Sequence, residues 1–157
     1  MTPQEAQAIR DAIDADPSLS SQPNTPDGAF AIAEALNIPT EPGFKPITVA
    51  SAMLWAASGP RVRIGTASTN ANETEVTRAS CQVFLDLIVS GSDALVHTEE
   101  PQIRAMFDGW LSASVITQTE HDAVYGTGGL AETLLPKSVV LIGRTVSWQD
   151  VVEARAV

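Results

Sequence analysis

Both histidines of this chain lie close to acidic residues, a combination that can bind a metal ion. Glu100 follows His97 within one short stretch, and Asp122 directly follows His121. Two imidazoles and a carboxylate suit a divalent cation, so a metal-dependent enzyme built on these four residues is one hypothesis. The acidic residues also occupy first-turn positions of predicted helices, where they stabilise the helix dipole without a metal. We favour this structural interpretation and predict neither a metal nor a cofactor.

Other sequence signals of catalysis are weak. The stretch YGTGG at 125–129 lacks the lysine and the Ser/Thr of a phosphate-binding loop, and it reads as a connector. The chain has no G-x-S-x-G pattern. Its single cysteine, Cys81, excludes an intrachain disulfide framework and falls on the apolar face of a predicted helix, which indicates a buried thiol. We therefore predict a protein that is not an enzyme.

The charge balance excludes two classes of partner. Nine Lys and Arg stand against 19 Asp and Glu, for a formal net charge of −10. Such a surface disfavours nucleic acid and repels an anionic membrane, but it suits a basic protein surface. The N-terminus shows no signal-peptide pattern, and no apolar run approaches the roughly 20 residues that span a bilayer. We expect a soluble protein made in a cytoplasm.

Three residues are candidates for a protein interface. Arg61 and Arg63 are the only local basic feature, and they either line a solvated strand face or contact an acidic partner surface. Trp148 begins the last predicted helix, where its ring is expected in the core or in a subunit interface.

Capping residues and helical periodicity predict a series of short helices. They span about residues 3–15, 26–36, from Thr48 or Val49 to Ala57, 73–90, 99–111 and 118–125, with a last helix that Ser147 caps. Thr98 is expected to cap the fifth of these helices, and Gly91 to end the fourth. Apolar spacing assigns the following residues to buried sides: Phe30, Ile32, Ala33, Leu36, Val76, Ala79, Val83, Phe84, Leu87, Ile88, Val151 and Val152.

Two stretches indicate β structure. RVRIGTAS at 61–68 alternates charged and apolar residues, and SVVLIGRTVS at 138–147 is rich in β-branched residues with a break at Gly143. The predicted fold is mainly α with a small β element, a compact bundle of five to seven short helices with a β-hairpin or paired short strands. We expect a single domain over 1–157, with extended Pro/Gly-rich arms near 16–25 and 37–47.

Several stretches, in this order, resemble a family of small, uncharacterised proteins of tailed bacteriophages and prophages. AIRDAIDADPSLSSQ is similar to the start of those proteins, and DGAFAIAEALN to the short helix that follows. PQIRAMFDGWLSASVITQTEHDAV resembles their helical hairpin, and VVLIGRTVSWQDVVEARA resembles their terminal β segment and last helix. The resemblance covers both ends and the centre, whereas the stretch 38–70 shows little similarity.

The resemblance implies a structural or assembly protein of the virion, with no catalytic residues to carry over. Attachment to the tail or its adhesion apparatus is favoured over a capsid decoration or a head–tail connector piece. The implied partners are other virion proteins and further copies of the chain in a symmetric assembly. The alternative is a phage-encoded cytosolic protein that binds a basic host partner.

Overall fold

The protein is mainly helical with a small β component, as predicted. A computed structural model describes residues 1–90 and 94–156. The helices in these residues are α1 (Pro3–Ala15), α2 (Pro17–Ser20), α3 (Pro26–Asn37), α4 (Val49–Ala57), α5 (Pro60–Thr69), α6 (Glu75–Val89), α7 (Pro101–Ser112), α8 (Gln118–Tyr125), α9 (Lys137–Ile142) and α10 (Trp148–Ala156). The strands are β1 (Pro39–Phe44), β2 (Ile47–Thr48), β3 (Leu95–Val96) and β4 (Glu132–Pro136).

The strands form two sheets of two strands each in the described residues. β1 pairs with β4, and β2 pairs antiparallel with β3, with Ile47 opposite Val96. The chain divides into two compact units: unit 1 is Met1–Pro42 with Leu134–Val157, and unit 2 is Gly43–Thr133. The single domain expected over 1–157 stays a prediction.

Two of the predicted helices begin with a capping box. The Thr2 hydroxyl accepts from the Glu5 backbone N–H while the Glu5 carboxylate accepts from the Thr2 backbone N–H, and Thr117 and Glu120 repeat this exchange in α8. Both pairs satisfy backbone donors that a helix start otherwise leaves free. This is why α1 and α8 begin where the sequence indicates.

Unit 1 buries one side of each of its longer helices. Its core includes Ile9 and Ile13 of α1, Ile32 and Leu36 of α3, and Val151 of α10. Asn37 fastens the end of α3 to the turn before α10, because its Nδ2 donates to the Val146 carbonyl at 2.8 Å and its Oδ1 accepts from the Val146 N–H at 3.0 Å. The end of α3 is therefore held in a fixed position against this turn.

Unit 2 is organised around aromatic rings. Phe84, Phe107 and Trp110 are almost fully buried, and the Trp110 ring lies 5.3 Å from Phe84 and 5.1 Å from Phe107 between centroids. The Trp110 indole N–H donates to the Ser80 hydroxyl at 2.9 Å, which joins α7 to α6. The Phe84 and Trp110 rings meet edge-on at 81° and the Phe107 and Trp110 rings are tilted at 46°, and such aromatic pairs contribute beyond the area they bury.

The strand predicted over 61–68 is wrong, because this stretch forms most of α5. Pro60, Ile64 and Ala67 are its buried residues, and their spacing of four and three is helical. The hydroxyls of Thr66 and Ser68 donate to carbonyls of the preceding turn, of Val62 and Gly65 respectively. The sequence does alternate arginine with apolar residues, but the residues that are buried have helical spacing.

The β segment predicted over 138–147 is also wrong. Residues 137–142 form α9, and Gly143 ends this helix in the left-handed conformation, with φ 73°. Leu141 and Ile142 pack against the core of unit 1 while Val140 is 56% exposed, so this apolar run surrounds a short helix that has one exposed side. The strand of this region, β4, precedes it. Together with α2, helices α5 and α9 raise the number above the expected five to seven.

Several predicted positions also differ. Phe30, Val76, Val83 and Val152 are 54%, 79%, 65% and 45% exposed, and Ala79 is exposed as well, although each was assigned to a buried side. α7 begins after Glu100, whereas Thr98 is buried and donates its hydroxyl to the Lys45 carbonyl. Within the predicted arms, residues 17–20 are helical and residues 39–44 pair as β1, so both arms contain regular structure and only the first departs from an extended backbone. Gly91 lies outside the described residues.

Candidate interaction surfaces

The two histidine clusters are separately paired. His97 Nδ1 lies 2.8 Å from Glu99 Oε1, and His121 Nε2 lies 2.9 Å from Asp108 Oδ1. Asp122 Oδ1 is 3.6 Å from the other nitrogen of His121, and Glu100 precedes the first turn of α7. Within residues 1–90 and 94–156, no three His, Cys, Asp or Glu side chains are grouped so that they could hold a metal ion. The arrangement therefore offers carboxylate partners for each imidazole but no ligand set.

Cys81 is buried, as predicted. Its exposed fraction is 0%, and burial raises the pKa of its thiol to about 11. A thiol with that pKa is protonated at neutral pH, and the thiolate is the reactive form. Cys81 therefore packs as a small apolar side chain.

Of the two candidate arginines, Arg63 is engaged within unit 2. Its Nε donates to the Val115 carbonyl at 3.0 Å, and its guanidinium pairs with the Glu120 carboxylate. Burial alone would raise the pKa of Glu120, but hydrogen bonds from Arg63 and Thr117 outweigh it and hold this pKa below its ordinary value. The Trp55 indole also donates to the Glu120 carbonyl at 2.8 Å. Arg63 thus helps to fix the start of α8.

Arg61 faces a different environment. It is exposed, and none of the ion pairs in the described residues includes it. It lines a pocket of about 260 Å³ together with Met53, Leu54, Ala57, Ile88 and Val89. Leu54 and Val89 are 76% and 71% exposed there, so Arg61 is a free cation beside apolar side chains.

The third candidate, Trp148, lines an open pocket in unit 1 with a volume of about 690 Å³. This aromatic pocket is lined by Phe30, Ala33, Glu34, Asn37, Ile38, Pro39, Val146, Ser147 and Trp148. The Phe30 and Trp148 rings are stacked at 16° with centroids 6.2 Å apart. Phe30 and Ile38 are 54% and 55% exposed, so large apolar side chains face solvent.

A hydrogen-bonded start of α10 positions Trp148. The Ser147 hydroxyl accepts from the Asp150 N–H at 3.2 Å, and Asp150 Oδ2 accepts from the Ser147 N–H at 2.8 Å. Arg144 donates to both Asp150 oxygens at 3.0 Å. These bonds, that of Arg144 first, hold the pKa of Asp150 well below its ordinary value although burial opposes them. The indole therefore projects from a helix start that is anchored on both sides.

The aromatic pocket carries one charge. Glu34 is the only ionisable residue among the described residues that line it, and no described ion pair includes Glu34. The surrounding stretch 26–42 contains Asp27, Glu34 and Glu41 and no Lys or Arg. The lining of the pocket is therefore largely apolar, with one carboxylate that has no ion-pair partner in the described residues.

A second open surface lies between α6 and α7 in unit 2, with a volume of about 540 Å³. This α6–α7 groove is lined by Val76, Thr77, Ala79, Ser80, Val83, Gln102, Ala105, Met106, Gly109 and Trp110. None of these residues is ionisable. Val76 and Val83 stand out at 79% and 65% exposure, and a Cβ added at Gly109 would meet no atom within 4 Å. The groove thus has apolar walls and small residues along α7.

Sequence reasoning named Trp148 but missed most of these two surfaces. The signal was present in the spacing of α3, where Phe30, Glu34 and Asn37 are four and three apart and therefore share a face. α6 likewise carries two apolar stripes, one through Cys81, Phe84 and Ile88 and another through Val76 and Val83. A helix buries only one such stripe in a single core, so the second was available for a partner.

Compared with known proteins, the chain matches no family model, no curated protein and no solved structure. No helix in residues 1–90 or 94–156 combines the length and hydrophobicity that crossing a bilayer requires.

Proposed function

We propose that this chain is a non-catalytic structural or assembly component of a tailed-bacteriophage particle, attached to the tail or its adhesion apparatus. The observation that carries the proposal is the presence of open apolar surfaces in each unit, the aromatic pocket and the α6–α7 groove. Exposed apolar patches of this kind mark contacts with other macromolecules. Its partners are other virion proteins, and it is present in several copies arranged symmetrically.

The resemblance of several stretches, in the same order, to small phage proteins supports the proposal of a phage protein. The stretches that resemble small phage proteins include the first turn of α10 with Trp148, and α3 with Phe30. Apart from Ile38 and Pro39, the lining of the aromatic pocket thus comes from parts of the chain that carry the resemblance. A capsid decoration or a head–tail connector piece would use the same surfaces. The location of the chain in the particle distinguishes these two roles from that of a tail protein.

The test is mass spectrometry of gradient-purified particles from the phage that encodes the chain, counting copies per portal. We expect a fixed stoichiometry that is a small multiple of the tail symmetry. Phe30→Ser and Val83→Ser, which make exposed apolar positions polar, should lower this copy number, while Asp11→Asn on an exposed part of α1 should not. Particles that lack the chain, in cells that make it abundantly, would contradict the proposal.

A second candidate follows from the charge of the aromatic pocket. An acidic protein with a carboxylate beside exposed aromatic rings also suits a phage-encoded cytosolic protein that binds a basic host partner. This candidate predicts absence from purified particles and a stable complex with a host protein in infected cells. The particle count therefore separates the two candidates.

A further inference from the structure

We propose that the aromatic pocket of unit 1 binds a segment of a partner protein in which an apolar side chain stands next to a lysine or arginine. The inference rests on the proposed function in one respect, that the chain acts through contacts with other proteins. It adds the chemistry of the segment that one surface selects.

The apolar part of the partner follows from the walls of the pocket. Phe30 and Trp148 present stacked rings on one side, and Ile38 is 55% exposed nearby. Covering these side chains with an aliphatic or aromatic group removes apolar surface from water on both molecules, which favours binding. The pocket is already formed, because Asn37 and the Asp150 bonds hold both of its sides in place. Binding therefore requires little ordering of this chain.

The cationic part follows from Glu34. This carboxylate is exposed beside the apolar walls and has no ion-pair partner in the described residues. The four basic side chains of unit 1 have other acidic or carbonyl neighbours: Arg10 pairs with Asp14, Arg144 with Asp150, Arg155 with the carbonyls of Gln22 and Pro23, and the charge of Lys137 acts on Asp16. A cation from the partner can pair with Glu34 and also lie against the exposed ring faces, which attract positive charge.

An acidic segment is disfavoured at the same place. Asp27, Glu34 and Glu41 lie in the stretch that builds α3 and β1, and the whole chain carries −10. A carboxylate brought to Glu34 would meet repulsion with no nearby base in residues 26–42 to offset it. The pocket therefore discriminates by sign of charge, and its apolar walls supply most of the affinity.

A second copy of this chain is the competing occupant. Each copy offers an exposed apolar residue beside an arginine, Val62 next to Arg61, with Val62 77% exposed. Two copies that each carry −10 repel one another at long range, which favours a different, basic partner. The two occupants are distinguished by the dependence of pocket signals on protein concentration.

The experiment is an NMR titration of the full chain, labelled with ¹⁵N, using two capped octapeptides. One peptide has leucines alternating with lysines, and the other has glutamates in place of the lysines. We expect the lysine peptide to shift the Trp148 indole N–H and the amides of Phe30, Glu34 and Ile38, with much weaker shifts from the glutamate peptide. The buried indoles of Trp55 and Trp110 provide internal references that should not move.

Variants separate the two parts of the recognition. Glu34→Gln should weaken the lysine peptide about two- to fivefold, the range of an exposed ion pair, and Asp11→Asn should leave its Kd unchanged. Phe30→Ser should weaken it more, and it tests the ring stack without altering Trp148. The Glu34→Gln variant should still bind the glutamate peptide weakly, because the substitution removes a carboxylate without adding a base.

Three outcomes would overturn the inference. Millimolar lysine peptide could leave the pocket resonances unmoved, or the glutamate peptide could bind as tightly as the lysine peptide. The same resonances could instead shift with protein concentration alone, which would assign the pocket to a second copy. None of these outcomes changes the count of this chain in purified particles, so the inference and the proposed function fail separately.

Discussion

The aromatic pocket of unit 1 and the α6–α7 groove of unit 2 are both open and apolar, but they relate differently to the core. The rings of the pocket, Phe30 and Trp148, are exposed or half-buried, whereas Trp110 beneath the groove is 1% exposed and packs against Phe84 and Phe107. The pocket also carries Glu34, and the groove carries no charge among its lining residues. The rings of the pocket can therefore be substituted without unfolding the protein. Trp110 of the groove belongs to the core of unit 2, so substituting it also lowers stability.

The same difference separates two ways of choosing a partner. A carboxylate beside aromatic rings selects by charge, because a cation gains and an anion loses at that position. Small residues such as Ala105 and Gly109 select by shape, because they allow a partner backbone to approach closely. We therefore expect a basic partner segment at the pocket and a close-packed apolar partner at the groove.

Removing the ring beneath the groove should have the largest effect on stability. Trp110→Ala removes a buried indole, its contacts with Phe84 and Phe107, and its hydrogen bond to Ser80. We expect a loss of about 3–5 kcal/mol in the free energy of unfolding, measured by urea titration. Phe30→Ala in the pocket is the matched comparison, because this ring is 54% exposed and should cost far less. Equal losses would show that the contrast between the two surfaces is wrong.

Two glycines should respond in opposite directions. A Cβ at Gly28, in the first turn of α3, would meet the Pro23 carbonyl oxygen at 2.0 Å, so Gly28→Ala should destabilise unit 1 by about 1–3 kcal/mol. Gly109→Ala places its Cβ in the open groove and should stabilise α7 by about 0.5–1 kcal/mol through helix propensity. Thermal unfolding of the two variants checks both signs, and a destabilised Gly109→Ala would show that the groove is closed.

Asp150 should make the pocket wall sensitive to acid. Asp150→Asn removes the pair with Arg144 and weakens the α10 start, for an expected loss of about 1–2 kcal/mol at neutral pH. The folded-state pKa lies below the ordinary value of 3.8, so the unfolded chain takes up the proton first. The stabilisation is therefore complete above the ordinary value and is lost as the pH falls through the folded-state pKa.

The measurement for this prediction is urea unfolding of both proteins as a function of pH. The stability difference between wild type and Asp150→Asn should shrink on acidification below about pH 4. Asp14→Asn is the control, since that side chain is 66% exposed in an i,i+4 pair with Arg10 and should cost little at any pH. A difference that is constant with pH would contradict the role given to Asp150.

The smallest stability effects are expected on the outer walls of the groove. Val76→Ser and Val83→Ser change side chains that are 79% and 65% exposed, so each should alter the free energy of unfolding by less than about 0.5 kcal/mol. Their effect should fall on binding, as reduced incorporation into particles. A large loss of stability would mean that these valines are covered in the isolated protein.

Local signals made much of this fold predictable, and long-range packing accounts for the rest. The caps Thr2 and Thr117 act within one turn, so α1 and α8 could be read from the sequence. α5 could not, because alternation at Arg61 and Arg63 resembles a strand and only the burial of Ile64 shows which period packs. The fold class could be predicted because most of the local signals along the chain indicate helices.

The surfaces were harder to predict because an exposed apolar residue looks like a core residue in sequence. Phe30 lies beside the buried stripe of α3, which consists of Ala29, Ile32, Ala33 and Leu36. Only when this whole stripe is known to face the core does it follow that Phe30 is excluded from it. Its companion Trp148 comes more than 100 residues later, so their stacking depends on the tertiary fold. Glu34 is a candidate binding residue because it has no ion-pair partner in the described structure, which the sequence alone does not show.

Photo-crosslinking in cells that assemble particles tests most directly the claim that this protein works through these two surfaces. A photoreactive amino acid would replace Phe30 or Val83, with Asp11 on the exposed side of α1 as the control position. We predict adducts from positions 30 and 83 with other particle proteins, retained in gradient-purified particles, and none from position 11. Adducts equally frequent at all three positions, or none in purified particles, would contradict the account.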